Sequence, residues 1–170
     1  MATSLLPWLL SGPDLPKGIM TYRYYYEDCP PGAEMELAPH TVTAEEIIDF
    51  ASQFDPVPFH LDEEAGKASF LGGLAASGWH VCSLAMRMIC DSYLLESASL
   101  GSPGIKECKW LAPVLAGDTL RGKVIVEGAR ISASRPGLGL LELRCELYNQ
   151  KDRQVLMFRN TGMMAIRGAA

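Results

Sequence analysis

Two side chains able to exchange protons near neutral pH stand close together in the stretch FDPVPFHLDEEAGK, Phe54 to Lys67. Asp55 supplies a carboxylate and His60 supplies one of only three imidazoles in the chain. Pro56 and Pro58 restrict the backbone between them, so the pair is held with little conformational freedom. A histidine and a carboxylate are the usual partners for moving a proton at one reacting centre. A water held by two preset groups is already oriented for addition. The same residues also have a purely structural explanation, in which Asp55 caps a turn and His60 caps the next helix through HLDEE. Spacing alone leaves both readings open.

The flanking elements position this loop. Before it, TVTAEEIIDFASQF has Thr43 as N-cap and Glu46 three residues on, a capping box. Ile47, Ile48, Ala51 and Phe54 then recur at helical spacing, and the helix must end before Pro56. After the loop, Asp62, Glu63 and Glu64 suit the positive end of a short helix that Gly72-Gly73 cuts off. Next comes the most apolar element, WHVCSLAMRMICDSYLL, Trp79 to Leu95. Its only charges are Arg87 and Asp91, spaced as an i,i+4 pair. A helix apolar on nearly every face is expected to be buried on all sides.

Something must wrap that helix. GIKECKWLAPV, DTLRGKVIVEGAR, LGLLELRCELYN and RQVLMFRNTGMMAIR are four strand candidates. In the third, Leu141, Leu143, Cys145 and Leu147 alternate with Glu142, Arg144 and Glu146, the pattern of an antiparallel strand with one wet face. Asn149 to Asp152 makes a hairpin turn into the last strand. Glu34 to Val42 is a further strand, with Met35 and Leu37 on one face. One antiparallel β-sheet wrapped around one long central α-helix is the hot-dog architecture, an α+β fold. Residues 34–170 form this single domain. Residues 1–33, rich in Pro, Gly and aromatics, form an irregular arm with room for one short strand at Tyr22–Tyr26 and a short apolar run, Leu5 to Leu10, able to strap a partner.

Composition excludes several classes. A 170-residue chain with 48% hydrophobic and 21% charged residues is a soluble globular protein. Its net charge of −5 and scattered Lys and Arg argue against a nucleic-acid footprint. The N-terminal apolar run is too short for a signal or a membrane span. Five cysteines with no C-x-x-C pair point to reduced thiols and a cytoplasmic setting. Cys82, Cys90 and Cys145 are core filler. So are His80 and Met86, Met88, Met157, Met163 and Met164, some of which could line an acyl channel. His60, Asp62 and His80 lack the spacing of a metal set. Arg121, Lys123, Arg159 and Arg167 include candidates for a phosphate contact.

FDPVPFHLD resembles the hydratase-2 motif, D-x-N-P-aliphatic-H, of MaoC-like dehydratases and (R)-specific enoyl-CoA hydratases. Asp55, Pro58 and His60 match its Asp, Pro and His. The resemblance runs from about Thr41 to Ile166 and includes GGLAASGWH before the central helix and PVLAGDTL, a P-V-x-x-G-D segment. It implies that Asp55 and His60 hold and activate a water. That water adds across a trans-2-enoyl thioester to give an (R)-3-hydroxyacyl thioester, or is lost in reverse. It also implies that the amide of Gly78 holds the thioester oxygen. A side-chain-free helix N-terminus suits that role physically. Two positions depart from the family. Val57 stands for the motif's Asn and cannot hydrogen-bond substrate or water, and Ser77 stands where a His often precedes the glycine.

The expected substrate is therefore an acyl-CoA or acyl-carrier thioester, with no metal or redox cofactor, no nucleic acid and no membrane. The expected assembly is a homodimer or a dimer-based oligomer. Two rival functions remain: a hot-dog thioesterase, which the Asp-Pro-x-Pro-x-His loop fits less well, and a non-catalytic acyl-thioester binding subunit, which Val57 keeps open.

Overall fold

A computed structural model describes residues 22–168 of the chain. Six strands, β1 (Glu34–Thr41), β2 (Ser99–Gly101), β3 (Ile105–Trp110), β4 (Thr119–Ile131), β5 (Leu138–Tyr148) and β6 (Gln154–Ala165), form one antiparallel sheet. Its order is β1-β4-β5-β6-β2, with β3 also pairing with β6. Four helices lie between β1 and β2: α1 (Ala44–Phe54), the single turn α2 (Pro58–Leu61), α3 (Glu63–Ala68) and α4 (Gly78–Ser92). The sheet wraps α4, the hot-dog arrangement expected from element order.

The four strand candidates all occur as strands; β4 pairs with β5 from Arg121↔Tyr148 to Ile131↔Gly139 with a register shift between Val126 and Gly128, and β5 pairs with β6 with a shift between Leu147 and Tyr148. The three-residue β2 had no alternating pattern to announce it. The expected strand at Tyr22–Tyr26 is absent: Tyr24 makes one isolated bridge to Ser97, and Tyr26–Asp28 is a 3-10 turn. This segment nevertheless packs on the sheet. Cys29 is buried, and Gly32 N–H donates to the Val126 carbonyl. The Leu5–Leu10 run lies outside the described residues.

Helix α1 begins as its sequence dictates. Thr43 accepts from Glu46 N–H, and the Glu46 carboxylate accepts in return from Thr43 N–H. Ile47 and Ala51 face the core, whereas Ile48 and Phe54, expected on the same face, are exposed. Four apolar positions span a wider arc than the contact of α1 with its neighbours covers.

Helix α4 is less enclosed than its composition suggests. Val81, Leu84, Ala85, Met88 and Ile89 pack on Leu120, Val124, Cys145, Leu147 and Leu156 of the sheet. Trp79 and Met86 point away and are 61% and 43% exposed. A single sheet covers one side of a helix, so the residues on the other side stay open within one chain. The Arg87–Asp91 pair forms there at 2.6 Å. Glu146, expected on the wet face of β5, is buried with its carboxylate held by Arg144 and Tyr148.

Candidate active site

Asp55 closes α1: its N–H donates to the Ala51 carbonyl, and its backbone then leaves helical geometry. Pro56 follows and cannot continue the helix. Val57 opens α2, with Pro58 in the first turn where a missing N–H costs nothing. That turn delivers His60 to the interior, 7% exposed. The next helix starts at Asp62 rather than at His60, because the Asp62 carboxylate accepts from Ala65 N–H at 2.8 Å. His60 is thereby free of any capping duty.

The His60 ring is oriented from behind. Nδ1 lies 2.6 Å from the Ala75 carbonyl, which can only accept, so Nδ1 carries the proton. In the neutral ring Nε2 then offers a lone pair. It faces Asp55 Oδ2 at 3.6 Å, too far for a direct hydrogen bond. A lone pair and a carboxylate are thus both open to one O–H-bearing molecule. Ser77 Oγ donates to the same Oδ2 at 2.6 Å and accepts from Trp79 N–H at 3.3 Å as the N-cap of α4.

The segment before α4 is pinned from two sides. Ala75 N–H donates to the Phe59 carbonyl, and Ala76 N–H donates to the Val114 carbonyl at 2.8 Å. The Leu74 carbonyl, which an uninterrupted helix would offer to Gly78, accepts from Ala116 N–H instead. Gly78 is the first residue of α4, so its amide has no intrahelical acceptor. The P-V-x-x-G-D segment makes this possible. Gly117 turns with φ of +88°, and the Asp118 carboxylate braces the turn by accepting from Leu115 N–H. The three sequence motifs therefore meet at one place.

They meet at a cleft of about 510 Å³ whose lining includes Asp55, His60, Ser77 and Gly78. The rest of the lining is mainly apolar. Phe70, Trp79, Trp110 and Leu111 are exposed at it, Phe70 by 91%. Val57 does not line the cleft; its part is to start the α2 turn, and its side chain makes no capping bond. None of the five methionines considered as channel lining is at this cleft either.

Other candidates disperse. His80 stacks on Phe50 at 4.7 Å, and burial lowers its pKa. Asp62 caps α3 and His60 bonds Ala75, so the three do not converge; no metal-binding cluster occurs among the described residues. Each of the four basic residues considered for phosphate faces a carboxylate: Arg121 faces Asp152, Lys123 faces Glu34, Arg159 faces Glu107 and Glu127, and Arg167 faces Asp28. Three participants escaped sequence reasoning. The Ala75 carbonyl is backbone and carries no side-chain signal. The Ser77–Asp55 bond joins residues far apart in sequence. Trp110 was one aromatic within a strand candidate.

Residues 28–138 match the MaoC like domain family. A MaoC-like dehydratase from Rhodospirillum rubrum is 35% identical, with a TM-score of 0.76 over 85% of this chain and 98% of that one. YdeM of Bacillus subtilis (strain 168), an uncharacterized protein, is 27% identical over 114 residues, 67% of this chain and 79% of its own length. The unliganded R-hydratase PhaJ1 of Pseudomonas aeruginosa shares the fold, with a TM-score of 0.65 at 19% identity over 83% of this chain and 84% of that one.

Proposed function

This chain belongs to the MaoC like domain family, and from that premise we propose that it hydrates trans-2-enoyl thioesters, or dehydrates (R)-3-hydroxyacyl thioesters. The observation that carries the proposal is the convergence of Asp55, His60 and the Gly78 amide on one apolar cleft. A water placed between Asp55 Oδ2 and His60 Nε2 donates one hydrogen to each. As its oxygen bonds to C3 of the enoyl group, His60 takes one proton. The displaced π electrons reach the thioester oxygen, where the Gly78 N–H in the positive field of α4 stabilises the developing charge. The imidazolium, steadied by the Asp55 carboxylate, then returns its proton to C2. The net change is addition of H and OH, and it calls for no redox step and no metal.

The substrate handle is a coenzyme A or acyl-carrier thioester, since a thioester keeps the C2 proton acidic and the oxygen polarisable. The same reading takes the working unit to be a dimer. Paired edge strands would remove the unpaired rows that β1 and β3 present, and a second chain would cover the aromatic surface beside the cleft. Reduced thiols, all five of them free, fit a cytoplasmic setting.

Incubation with crotonyl-CoA tests the reaction. A hydratase removes the conjugated enoyl absorbance without releasing thiol. Release of free coenzyme A would instead identify a thioesterase. Binding without either change would identify an acyl-thioester binding subunit.

A further inference from the structure

Trp110 ends β3 and projects onto the first turn of α4. Its indole Nε1–H donates to the Gly78 carbonyl at 2.8 Å. The ring lies closer to Gly78 than any side chain would permit. A Cβ added to Gly78 would sit 2.7 Å from Cε2, 2.8 Å from Nε1 and 3.0 Å from Cδ2 of the indole. The glycine is therefore required by this neighbour as well as by any ligand. Trp110 is 48% exposed all the same, lines the cleft, and meets the Trp79 ring edge-on at 5.3 Å.

The hydrogen bond has a partner on the same peptide unit. The peptide between Gly78 and Trp79 offers its carbonyl to Trp110 and its N–H to Ser77 Oγ. One plane is held at both ends. Ser77 Oγ in turn donates to Asp55 Oδ2. A continuous chain of contacts thus runs from the Asp55 carboxylate through Ser77 and the first peptide of α4 to the indole. Glycine at the first helical position has the softest backbone of any residue. Without an external clamp, the amide on its other side would be free to swing out of line with Asp55 and His60.

We propose that Trp110 is a positioning residue that fixes the Gly78 amide in register with Asp55 and His60. This rests on the hydratase reading above. Trp110 takes no proton and forms no bond to the reacting carbons. Its contribution is realised when charge develops on the thioester oxygen, so it belongs to kcat rather than to substrate binding.

The test uses the intact protein and crotonyl-CoA. Trp110→Phe keeps an aromatic ring and removes the donor. Loss of one neutral hydrogen bond should lower kcat about 2- to 12-fold and leave KM within about twofold. A wild-type kcat in Trp110→Phe overturns the proposal, as does a change confined to KM. A second measurement stands apart from activity. Gly78→Ala should lower the thermal midpoint in the wild type, where the new Cβ meets the indole, and should cost much less in a Trp110→Leu background. Additive losses would overturn the Gly78–Trp110 coupling. Failure of the hydratase reading looks different: wild type itself would leave every enoyl thioester unchanged, and Trp110 would lose its catalytic purpose with it. An active wild type matched by Trp110→Phe refutes this inference alone.

Discussion

Ser77 Oγ donates a 2.6 Å hydrogen bond to Asp55 Oδ2, joining the start of α4 to the end of α1 across a separation of 22 residues. Ser77 is 1% exposed, so the donor end of this bond is shielded from water, while Asp55 faces the cleft. Where a histidine is often found in the family, a short hydroxyl here does two jobs: it caps α4 and fixes the rotamer of the carboxylate. Removing it should be felt in both stability and rate. Ser77→Ala is expected to cost about 0.5–2 kcal/mol as a lost N-cap. It should also lower kcat on an enoyl thioester, because Asp55 is no longer tethered. Thermal melts and steady-state rates on the same preparation check this. An unchanged melt with unchanged rate would show the bond to be dispensable.

Asp55→Asn and His60→Ala should each reduce turnover by about 10²–10⁴-fold, the usual contribution of a positioned acid or base. The double variant should be little worse than the poorer single, since in the proposed reaction both groups act on one water. His60→Ala also leaves the Ala75 carbonyl without its donor, so Asp55→Asn is the cleaner probe of chemistry. Loss of enoyl absorbance, read together with circular dichroism, separates rate from folding. Near-wild-type turnover in Asp55→Asn would remove the carboxylate from the mechanism.

Val57→Asn should raise the thermal midpoint. Val57 opens α2 from extended backbone with no side-chain bond to the turn, whereas Asn there can accept a first-turn N–H. The gain is about 0.5–1 kcal/mol by the usual worth of such a cap. Rates on short enoyl-CoAs in the same variant test whether the residue also shapes substrate choice. A rate change without any rise in the midpoint would mean that the Asn acts on substrate and not on the turn.

His80 should make the protein acid-sensitive. Burial lowers its pKa from 6.5; nearby Glu46 opposes this and His40 adds to it. In the unfolded chain the ring protonates at about 6.5. Below that pH the unfolded state holds more protons than the folded one, so stability falls as pH drops through and below about 6.5. His80 Nδ1 is also buried without a partner. His80→Phe, which can keep the stacking on Phe50, should flatten the acid limb of a plot of thermal midpoint against pH. An identical limb in both proteins would assign the acid sensitivity to other groups.

Cys82 should resist alkylation. Burial, followed by the neighbouring Cys108 thiol at 3.8 Å, pushes its pKa up to about 11. The thiolate is the nucleophile, so at pH 8 its reactive fraction is about 10²-fold below that of a free cysteine. Labelling with iodoacetamide, followed by peptide mass spectrometry, should show Cys82 slow at pH 8 and faster as pH rises. Rapid labelling at pH 8 would show that the α4–β3 contact opens.

Much of this protein is settled by local sequence. The Thr43–Glu46 capping box sets the start of α1, Pro56 and Pro58 set the turn that carries His60, and the alternating sequence of β5 marks it as a strand, although its burial in the fold does not alternate. These are short-range effects in which a residue acts on its own backbone or on neighbours a few positions away. Asp55, His60 and Gly78 are legible as candidates for a related reason: they are of the residue types that proton chemistry and a side-chain-free helix start would use. What the tertiary structure alone decided is how these pieces face one another. The Ala75 carbonyl selects the His60 tautomer, Ser77 holds Asp55, and Trp110 fills the space that a side chain at Gly78 would need. Each joins segments that lie 15 or more residues apart in the chain. The exposed Trp79 and Phe54 make the same point from the other side. Hydrophobicity says that a residue would gain by burial, but only the shape of the packed elements determines which ones obtain it.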